Sequence, residues 1–205
     1  MLQPKALAVV NQVRQVILGK DAVVCKVLMA ILARGHILLE DNPGVGKTTL
    51  ALAFSKAMSL QYNRVQFTPE VMPADVVGFS VWDRASGEFS YRPGAVLCNL
   101  FLADEINRTS AKTQSALLEA MEEGQVTVDN VTRPLPRPFT VIATQNPVGS
   151  AGTQLLPESQ LDRFMMRLSI GYPTLDQEVQ ILKQTEGARP VDSLRQVATL
   201  EDVVQ

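Results

Sequence analysis

One segment restricts the fold of this chain more than any other, the run ILLEDNPGVGKTTLALAF that begins at Ile37. It has the pattern of a short apolar strand, a loop with two glycines and a helix. Gly44 and Gly46 allow the backbone to turn so that successive N–H groups point inward, an arrangement that cradles phosphate oxygens. The helix adds the positive end of its dipole beneath the phosphates. The segment therefore predicts a triphosphate-binding loop within an α/β fold.

Two side chains at the end of this loop supply a charge and a metal ligand. Lys47 would place a positive charge at the β- and γ-phosphates of ATP, and the Thr48 hydroxyl would coordinate Mg²⁺. Asp41 stands where the general G-x-x-x-x-G-K-[ST] pattern has its first glycine, but it precedes the tight part of the loop, so we expect ATP binding to be retained. The predicted nucleotide-binding residues are Asp41, Asn42, Pro43, Gly44, Val45, Gly46, Lys47, Thr48 and Thr49.

Short apolar runs alternate with helical stretches along the rest of the chain. Strands that are apolar on both faces are typical of a parallel sheet covered by helices on both sides. This alternation predicts a doubly wound α/β fold. The strands are predicted at 37–39, 100–103, 139–143 and 165–170, and the helices at 6–17, 22–33, 48–59, 111–123 and 175–183.

Two segments interrupt the alternation. Residues 78–94 contain VWDRASGEFSYRPG, and residues 125–138 contain VTVDNVTRPLP. Each has turn-forming residues between two extended stretches and predicts a β-hairpin. The alternative is that both are plain surface loops. Prolines at 134, 136 and 138 restrict the second hairpin to an edge, because proline cannot donate to a ladder.

An acidic pair follows the strand at 100–103, in the run NLFLADEINR. A carboxylate at the C-terminal end of such a strand lies beside the phosphate loop. Asp104 would hold Mg²⁺ through water, because the ion keeps much of its hydration, and Glu105 would act as general base on the attacking water. The alternative is an acidic pair that caps a helix. The presence of both acids favours hydrolysis of ATP over a scaffold that only binds it.

Two further polar residues follow later strands. Asn146 carries a neutral amide that could hydrogen-bond the γ-phosphate or the attacking water without taking its proton. The ordinary alternative is a turn residue before a proline. Arg163, in LPESQLDRF, has no obvious partner in its own subunit and would by itself count as a solvated surface residue.

The composition excludes several classes of protein. The chain has 205 residues, 46% of them hydrophobic, and a net charge of −2, so it has no global attraction for nucleic acid or anionic lipid. Its start lacks the pattern of a signal peptide, and the most apolar segment, 22–32, is too short to cross a membrane. We expect a cytoplasmic protein in which Cys25 and Cys98 are inert, buried thiols and His36 has no chemical role.

Taken together, the motifs GKDAVV, EDNPGVGKT, FLADEINRTSAKTQSALLEAMEEGQVTVD, VIATQNPV and LPESQLDRF resemble the MoxR family of AAA+ ATPases. The resemblance extends over nearly the whole chain. It implies a three-layer αβα sandwich with a parallel five-stranded sheet in the order 5-1-4-3-2. It also implies that the first hairpin is an insert in the second helix of the core and that the second hairpin precedes sensor 1.

The same resemblance assigns roles to residues. Acids are common in MoxR relatives at the position of Asp41. Residues 16–19, with Gly19 at their end, resemble the segment that lines the adenine pocket. The matches are Lys47 and Thr48 for Walker A, Asp104 and Glu105 for Walker B, Asn146 for sensor 1, and Arg163 for the arginine finger that reaches the ATP of a neighbouring subunit.

Families of this kind assemble as rings, usually hexamers, with the nucleotide between neighbours. The resemblance therefore implies a Mg²⁺-dependent ATPase that remodels protein complexes as a chaperone does, with a protein client and a partner that carries a von Willebrand factor A domain. One alternative is the ATPase subunit of a metal-chelatase-like complex. Another is a nucleic-acid motor, for which Arg133 and Arg137 on the second hairpin are the main support.

The resemblance also bears on the domain organisation. The core is expected at residues 1–190, followed by a small helical lid with a sensor 2 arginine. Residues 191–205 are expected to be the start of that lid, with the rest missing from this chain. We expect such a truncated chain to be only weakly active.

Overall fold

The structure is a computed structural model and describes residues 3–146, 155–185 and 189–204. In these ranges the helices are α1 (Gln3–Arg14), α2 (Asp21–Leu32), α3 (Lys47–Ala57), α4 (Pro73–Val77), α5 (Ala111–Glu123), α6 (Glu158–Leu161), α7 (Leu175–Thr185) and α8 (Leu200–Val204), with 3-10 turns at Ile106–Arg108 and Pro190–Ser193. The strands are β1 (Ile37–Glu40), β2 (Tyr62–Gln66), β3 (Gly78–Asp83), β4 (Glu88–Pro93), β5 (Leu100–Asp104), β6 (Gln125–Val128), β7 (Val131–Pro134), β8 (Thr140–Gln145) and β9 (Met166–Leu168).

A parallel sheet of five strands forms the centre of the molecule, in the order β2-β5-β8-β1-β9. If these five strands alone are numbered along the chain, the order is 2-3-4-1-5, which is the predicted 5-1-4-3-2 counted from the other edge. Parallel strands end on the same side of a sheet. The strands β1, β5 and β8 therefore end along one side of the sheet, and their last residues are Glu40, Asp104 and Gln145.

Helices cover both faces of this sheet. In β1, Ile37 and Leu39 face a core that includes α1, α2 and α3, whereas Leu38 faces a second core that includes α4 and α5. All three side chains are fully buried. Strands buried on both faces must be apolar throughout, which is why β1, β5 and β8 were recognisable from sequence. The predicted αβα sandwich is confirmed.

The ends of α5 show how local sequence sets a helix boundary. The Ser110 hydroxyl accepts the backbone N–H of Thr113 at 3.3 Å and caps the first turn. Gly124 ends the helix in the left-handed region, with φ 62°, which glycine adopts at little cost. The helix predicted at 111–123 and its glycine cap are confirmed.

The strand β2 was not among those predicted from the apolar runs. Its sequence, YNRVQ, is mostly polar, and it lies at the edge of the sheet, where it pairs only with β5. An edge strand keeps several side chains in contact with solvent, so it has no continuous apolar run to reveal it. This omission matters because two of its side chains, Arg64 and Gln66, reach the functional site.

Both predicted hairpins are present, as β3–β4 and β6–β7. After the first hairpin the chain returns to the helix that it left, because the N–H groups of Ala95 and Val96 donate to the carbonyls of Asp75 and Val76 in α4. This arrangement agrees with an insertion at the second helix of the core. The second hairpin directly precedes β8, the strand that leads to Asn146.

Most of the segment expected to begin a lid, 191–205, packs against the core. The N–H groups of Val197 and Ala198 donate to the carbonyl of Ala57 in α3. Gln205 lies outside the described residues. The division into core and lid stays a prediction. The buried residues of this segment, which join the core on the side of α1, α2 and α3, are Val191, Leu194, Ala198 and Val203.

Among the residues that the structure describes, no helix has the length and apolarity needed to cross a bilayer. Of the two cysteines, Cys98 is buried as predicted, whereas Cys25 is exposed, so the prediction that both are buried was wrong.

His36 is a buried structural residue at the start of β1. Its Nδ1 accepts the N–H of Val141 at 3.0 Å, so the ring proton is carried by Nε2, which lies 3.1 Å from the carbonyl oxygen of Met121. The ring also meets Phe139 edge to face. Burial lowers the pKa of the imidazole, so it is neutral at physiological pH. His36 thus ties β1 to β8 and to α5.

This arrangement predicts that stability falls in mild acid. Because burial lowers the pKa of His36 in the folded state below its usual value of about 6.5, the unfolded state binds more protons below that pH. The stabilisation is present above about pH 6.5 and is lost as pH falls toward the folded pKa, by at most about 1.4 kcal/mol per pH unit. His36→Gln, which keeps a donor and an acceptor but does not titrate, should lose less free energy of unfolding between about pH 7.5 and about pH 5.5 in urea. Equal losses in the two proteins would contradict this assignment.

Candidate functional site

The loop between β1 and α3 has the backbone conformation that its glycines allow. Gly44 and Gly46 have φ values of 87° and 91°, and Gly46 is the residue directly before α3. A Cβ at either position would meet nothing within 4 Å, so the positive φ, and not lack of space, requires glycine here. The N-terminus of α3, an 11-residue helix, opens at this point. These features make a ready binding site for anionic oxygens.

A cavity of about 420 Å³ lies next to the loop, on the side of the C-terminal ends of β2 and β5. It brings the predicted Walker A and Walker B residues together. From the sequence, the position of Asp104 and Glu105 beside the loop followed only from the rule that parallel strands end on one side of the sheet. Its lining residues are Pro43, Gly44, Gly46, Lys47, Thr48, Thr49, Arg64, Gln66, Asp104 and Glu105.

Lys47 is buried and faces the acids. Its ammonium donates to the carbonyl oxygen of Asp41 at 2.8 Å and to Oδ1 of Asn146 at 3.4 Å. Burial lowers the pKa of Lys47, and the nearby carboxylates, that of Asp104 foremost, oppose this shift. A buried cation with two neutral acceptors would gain from a multiply charged anion. Lys47 is therefore positioned for a phosphate group.

Glu105 has an unusual backbone conformation, and its carboxylate accepts three hydrogen bonds. Its φ is 56°, a left-handed value that costs about 1–3 kcal/mol for a residue other than glycine. Its N–H donates to the hydroxyl of Thr144 at 2.8 Å. The carboxylate accepts from Gln66 at 2.8 Å, Arg108 at 2.7 Å and Asn146 at 2.9 Å. This set of contacts holds the carboxylate at the mouth of the cavity despite the strain.

Asn146 connects Glu105 with Lys47. Its amide nitrogen donates to Glu105, and its amide oxygen faces the ammonium of Lys47. The side chain therefore takes part in the site, which a turn residue would not. Residues 147–154, which follow it, lie outside the described part of the chain.

Asp104 and Thr48 provide the oxygens that Mg²⁺ would use. Asp104 is buried and accepts from the hydroxyl of Thr144 at 2.7 Å and from the guanidinium of Arg64 at 2.7 Å. A hydroxyl and a carboxylate on one cavity fit a Mg²⁺ ion that takes one or two protein ligands together with substrate phosphates and water. The residues present are thus suited to this ion.

The side chain of Asp41 does not line the phosphate cavity. Its carboxylate accepts from the hydroxyl of Ser169 at 2.7 Å, the N–H of Ile170 at 2.6 Å and the N–H of Gly171 at 3.1 Å. Asp41 therefore joins the start of the loop to the segment after β9, and only its carbonyl oxygen faces Lys47. Three donors satisfy this buried carboxylate, as a buried charge requires. Asn42 is also not among the residues that line the cavity.

A second, largely apolar cavity of about 380 Å³ adjoins the first across the loop. Val16, Ile17 and Leu18 line it, as expected for a nucleobase pocket, together with Val45 of the loop. Gly19 does not. Its φ is 66°, and a Cβ there would overlap the side chain of Gln177 in α7, so this glycine serves the close approach of α7. The two cavities share Gly44, Gly46, Thr48 and Thr49.

Arg163 has partners in its own chain, and the expectation that it has none was wrong. Its guanidinium forms an ion pair with Glu122 of α5 at 2.9 Å and donates to the carbonyl oxygen of Ser159 at 2.8 Å. The short helix α6 ends beside the last turn of α5, and no sequence spacing reveals that proximity. Arg163 is not among the residues that line either cavity of its own chain.

Sequence reasoning also missed four polar side chains of the site, one of which is Thr144 of β8, whose hydroxyl contacts Asp104 and the N–H of Glu105. Arg64 and Gln66 lie on β2, which was not predicted, and Arg108 lies one turn beyond Glu105. The available signal was the alternation of polar residues in YNRVQ, which places Arg64 and Gln66 on the same face of a strand.

A parallel sheet in this order, a phosphate-type loop after its first strand and an acidic pair at the end of β5, which β8 separates from β1, define the class of P-loop ATPases. Residues 36–166 match the family described as "ATPase family associated with various cellular activities (AAA)", and the chain belongs to that family. The predicted membership of the MoxR family of AAA+ ATPases is confirmed by the relatives.

The relatives are longer than this chain. The protein YeaC of Bacillus subtilis is 49% identical over 203 residues, which cover 99% of this chain and 63% of that protein. The chaperone MoxR1 of Mycobacterium tuberculosis is 43% identical over 171 residues, 83% of this chain and 45% of that protein. The crystal structure of a candidate ATPase from Cytophaga hutchinsonii matches with a TM-score of 0.89 and 39% identity, over 99% of this chain and 62% of that one.

Proposed function

We propose that the protein binds ATP with Mg²⁺ and hydrolyses it to ADP and phosphate. The observation that carries this proposal is the position of Glu105, whose carboxylate lies on the phosphate cavity and is joined through Asn146 to Lys47. A structural acid would not need a left-handed backbone and a link to the phosphate-binding lysine.

Each residue of the site has a task in this reaction. Lys47 binds the β- and γ-phosphates, and the loop N–H groups surround them. Mg²⁺, held by Thr48 and Asp104, would neutralise charge that develops on the phosphates. A carboxylate can accept about four hydrogen bonds. Glu105 accepts three from protein donors, so its carboxylate keeps a lone pair that can accept the proton of the attacking water.

The direct test is phosphate release by the intact protein at varied ATP and Mg²⁺ concentrations. Saturable release that requires Mg²⁺ is expected. Binding of ATP without any release, at all Mg²⁺ concentrations and in the assembled protein, would contradict hydrolysis and favour a scaffold that only binds nucleotide.

The energy of hydrolysis would serve to remodel a protein client, in a homo-oligomeric ring of cytoplasmic subunits. The first hairpin supports a protein client, because Trp82 and Phe89 stack edge to face on it and are 52% and 72% exposed. Exposed aromatic pairs of this kind are typical of protein-binding surfaces. The name of chaperone MoxR1 agrees with this role. A partner with a von Willebrand factor A domain belongs to the same proposal and rests on the family resemblance.

Nucleic acid is the less favoured partner. Arg133, one of the two arginines of the second hairpin that could support it, has its guanidinium 3.8 Å from the ring centroid of Tyr91. It also donates to the carbonyl oxygens of Val128 and Val131. This arginine therefore joins the two hairpins, and its Nη1 donates within the protein.

The client role predicts a selective loss when the aromatic pair is removed. Trp82→Ser with Phe89→Ser should leave ATP affinity unchanged, because both side chains are exposed and lie outside the cavities. Stimulation of ATP hydrolysis by a chemically unfolded model protein should be lost. Val131→Ser, at an exposed valine of the other hairpin, is the matched control and should keep it. Undiminished stimulation in the double variant would contradict the proposed client surface.

A further inference from the structure

The acid assigned to Mg²⁺ already has a cationic partner within the chain. Arg64 extends from the edge strand β2, and its guanidinium nitrogen lies 2.7 Å from Oδ2 of Asp104. The other oxygen, Oδ1, accepts the hydroxyl of Thr144 at 2.7 Å. Of the two carboxylate oxygens, Oδ2 is thus the one without a hydroxyl partner, and Arg64 binds it.

The two side chains of this pair differ in exposure. The carboxylate of Asp104 is only 11% exposed, whereas the Arg64 side chain is 43% exposed and lines the phosphate cavity. An exposed arginine on an edge strand can change rotamer at little cost in packing. The carboxylate of Asp104 cannot move in the same way. Asp104 is the last residue of β5, and its side chain is held by the hydroxyl of Thr144 in β8. If the ion pair opens, Arg64 is the member that leaves.

A second acceptor allows that movement. The same guanidinium nitrogen lies 3.0 Å from the amide oxygen of Gln66, two residues further along β2. Gln66 is neutral and holds its own place through a bond to Glu105. Arg64 can therefore leave Asp104 and still keep one hydrogen bond at the rim of the cavity.

From this geometry we propose that Arg64 is a tethered competitor of Mg²⁺ for Asp104. A guanidinium and Mg²⁺, or a water that Mg²⁺ holds, cannot share one lone pair of Oδ2, so the binding of Mg²⁺ with nucleotide displaces Arg64 from that oxygen. Arg64 thereby sets the Mg²⁺ concentration that the site requires. This inference rests on the proposed function, since it takes Asp104 as the acid that holds the ion.

The test measures nucleotide binding and not turnover. A fluorescent ATP analogue is titrated into the intact protein with EDTA, and then over a range of Mg²⁺ concentrations at fixed nucleotide. Arg64→Gln removes the charge and should lower the half-saturating Mg²⁺ concentration by about fivefold, which corresponds to about 1 kcal/mol, the upper end for a partly exposed ion pair. Its affinity for nucleotide in EDTA should stay within about twofold of wild type, because Arg64 binds the acid and not the phosphates.

Two further variants make the result specific. Arg92→Gln makes the same charge change on the exposed strand β4, outside both cavities, and should leave the Mg²⁺ requirement unchanged. Arg64→Lys keeps the charge but loses the planar fork, so it should lie between wild type and Arg64→Gln. Arg64→Lys also allows the Mg²⁺ requirement to be measured if Arg64→Gln fails to fold.

The outcomes separate this inference from the proposed function. An unchanged or higher Mg²⁺ requirement in Arg64→Gln, with normal nucleotide binding by the wild type, would overturn the competition alone. A loss of affinity in EDTA for Arg64→Gln would also overturn it, because Arg64 would then be a phosphate ligand. Failure of the wild type to bind the nucleotide under any condition would instead reject the proposed function.

Discussion

Glu105→Gln is expected to lower kcat for ATP hydrolysis by about 10²–10⁴-fold while ATP remains bound. The amide cannot accept the proton of the attacking water. It can keep the position, because its oxygen can accept from Gln66 and Arg108 in place of Oε2. Its NH₂ group would then face the amide nitrogen of Asn146, whose oxygen stays on Lys47, so only this one hydrogen bond is lost. The loss should therefore be in chemistry and not in binding.

This effect is measured as phosphate release in parallel with ATP binding. The matched control is Glu123→Gln, the same change at an exposed residue at the end of α5, which should hydrolyse ATP at the wild-type rate. Near-normal turnover in Glu105→Gln would mean that another group accepts the proton. Loss of ATP affinity together with turnover would instead make Glu105 a structural residue of the cavity.

Arg163→Ala is expected to be nearly inactive, with a loss of about 10³–10⁵-fold if the guanidinium stabilises charge on the transferring phosphoryl group of a neighbouring subunit. A ring with head-to-tail contacts brings two different surfaces together at each interface. Arg163→Ala and Glu105→Gln subunits should therefore regain part of their activity when mixed. Some interfaces would combine an intact Glu105 with an intact Arg163.

The measurement is phosphate release against mixing ratio after the subunits have exchanged. The ion pair with Glu122 supplies a decisive control, because Glu122→Ala removes the partner and keeps the guanidinium. If Arg163 acts on the neighbour, this variant should keep its activity. If Arg163 only fastens α6 to α5, Glu122→Ala should reproduce the defect of Arg163→Ala. No recovery at any ratio, in mixed rings confirmed by mass, would also exclude a role in the neighbouring site.

The central part of the fold was predictable because its strands are apolar on both faces. β1, β5 and β8 appear as short apolar runs, and the glycine loop fixes where β1 ends and α3 begins. The family resemblance supplied the fifth strand and the order of the sheet. The strand β2 escaped recognition from the residues because an edge strand can be as polar as YNRVQ. The spacing of apolar residues reflects which side chains are buried. Among β1, β2, β5 and β8, the strand β2 is the least buried.

The site was predictable where one motif carries the chemistry. Lys47 and Thr48 come directly after one loop, and Asp104 and Glu105 stand together at the end of one strand, so local spacing and the rule that parallel strands end on one side placed all four on the phosphate cavity. The contacts of Asp41 could not be predicted, because its donors lie about 130 residues away after β9. Partners that meet only through tertiary packing leave no local signal in the sequence.

Isothermal titration of ATP into the wild type and Lys47→Ala, with Mg²⁺ present, tests most directly whether residues 43–48 hold the triphosphate. The variant removes the buried cation and should lose at least about 100-fold in affinity, the equivalent of about 2.7 kcal/mol, a typical value for a charge-assisted bond. Lys56→Ala, at the other end of the same helix, pairs with Asp192 outside the phosphate cavity and should bind ATP as the wild type does. Wild-type affinity in Lys47→Ala would contradict the assignment of this loop.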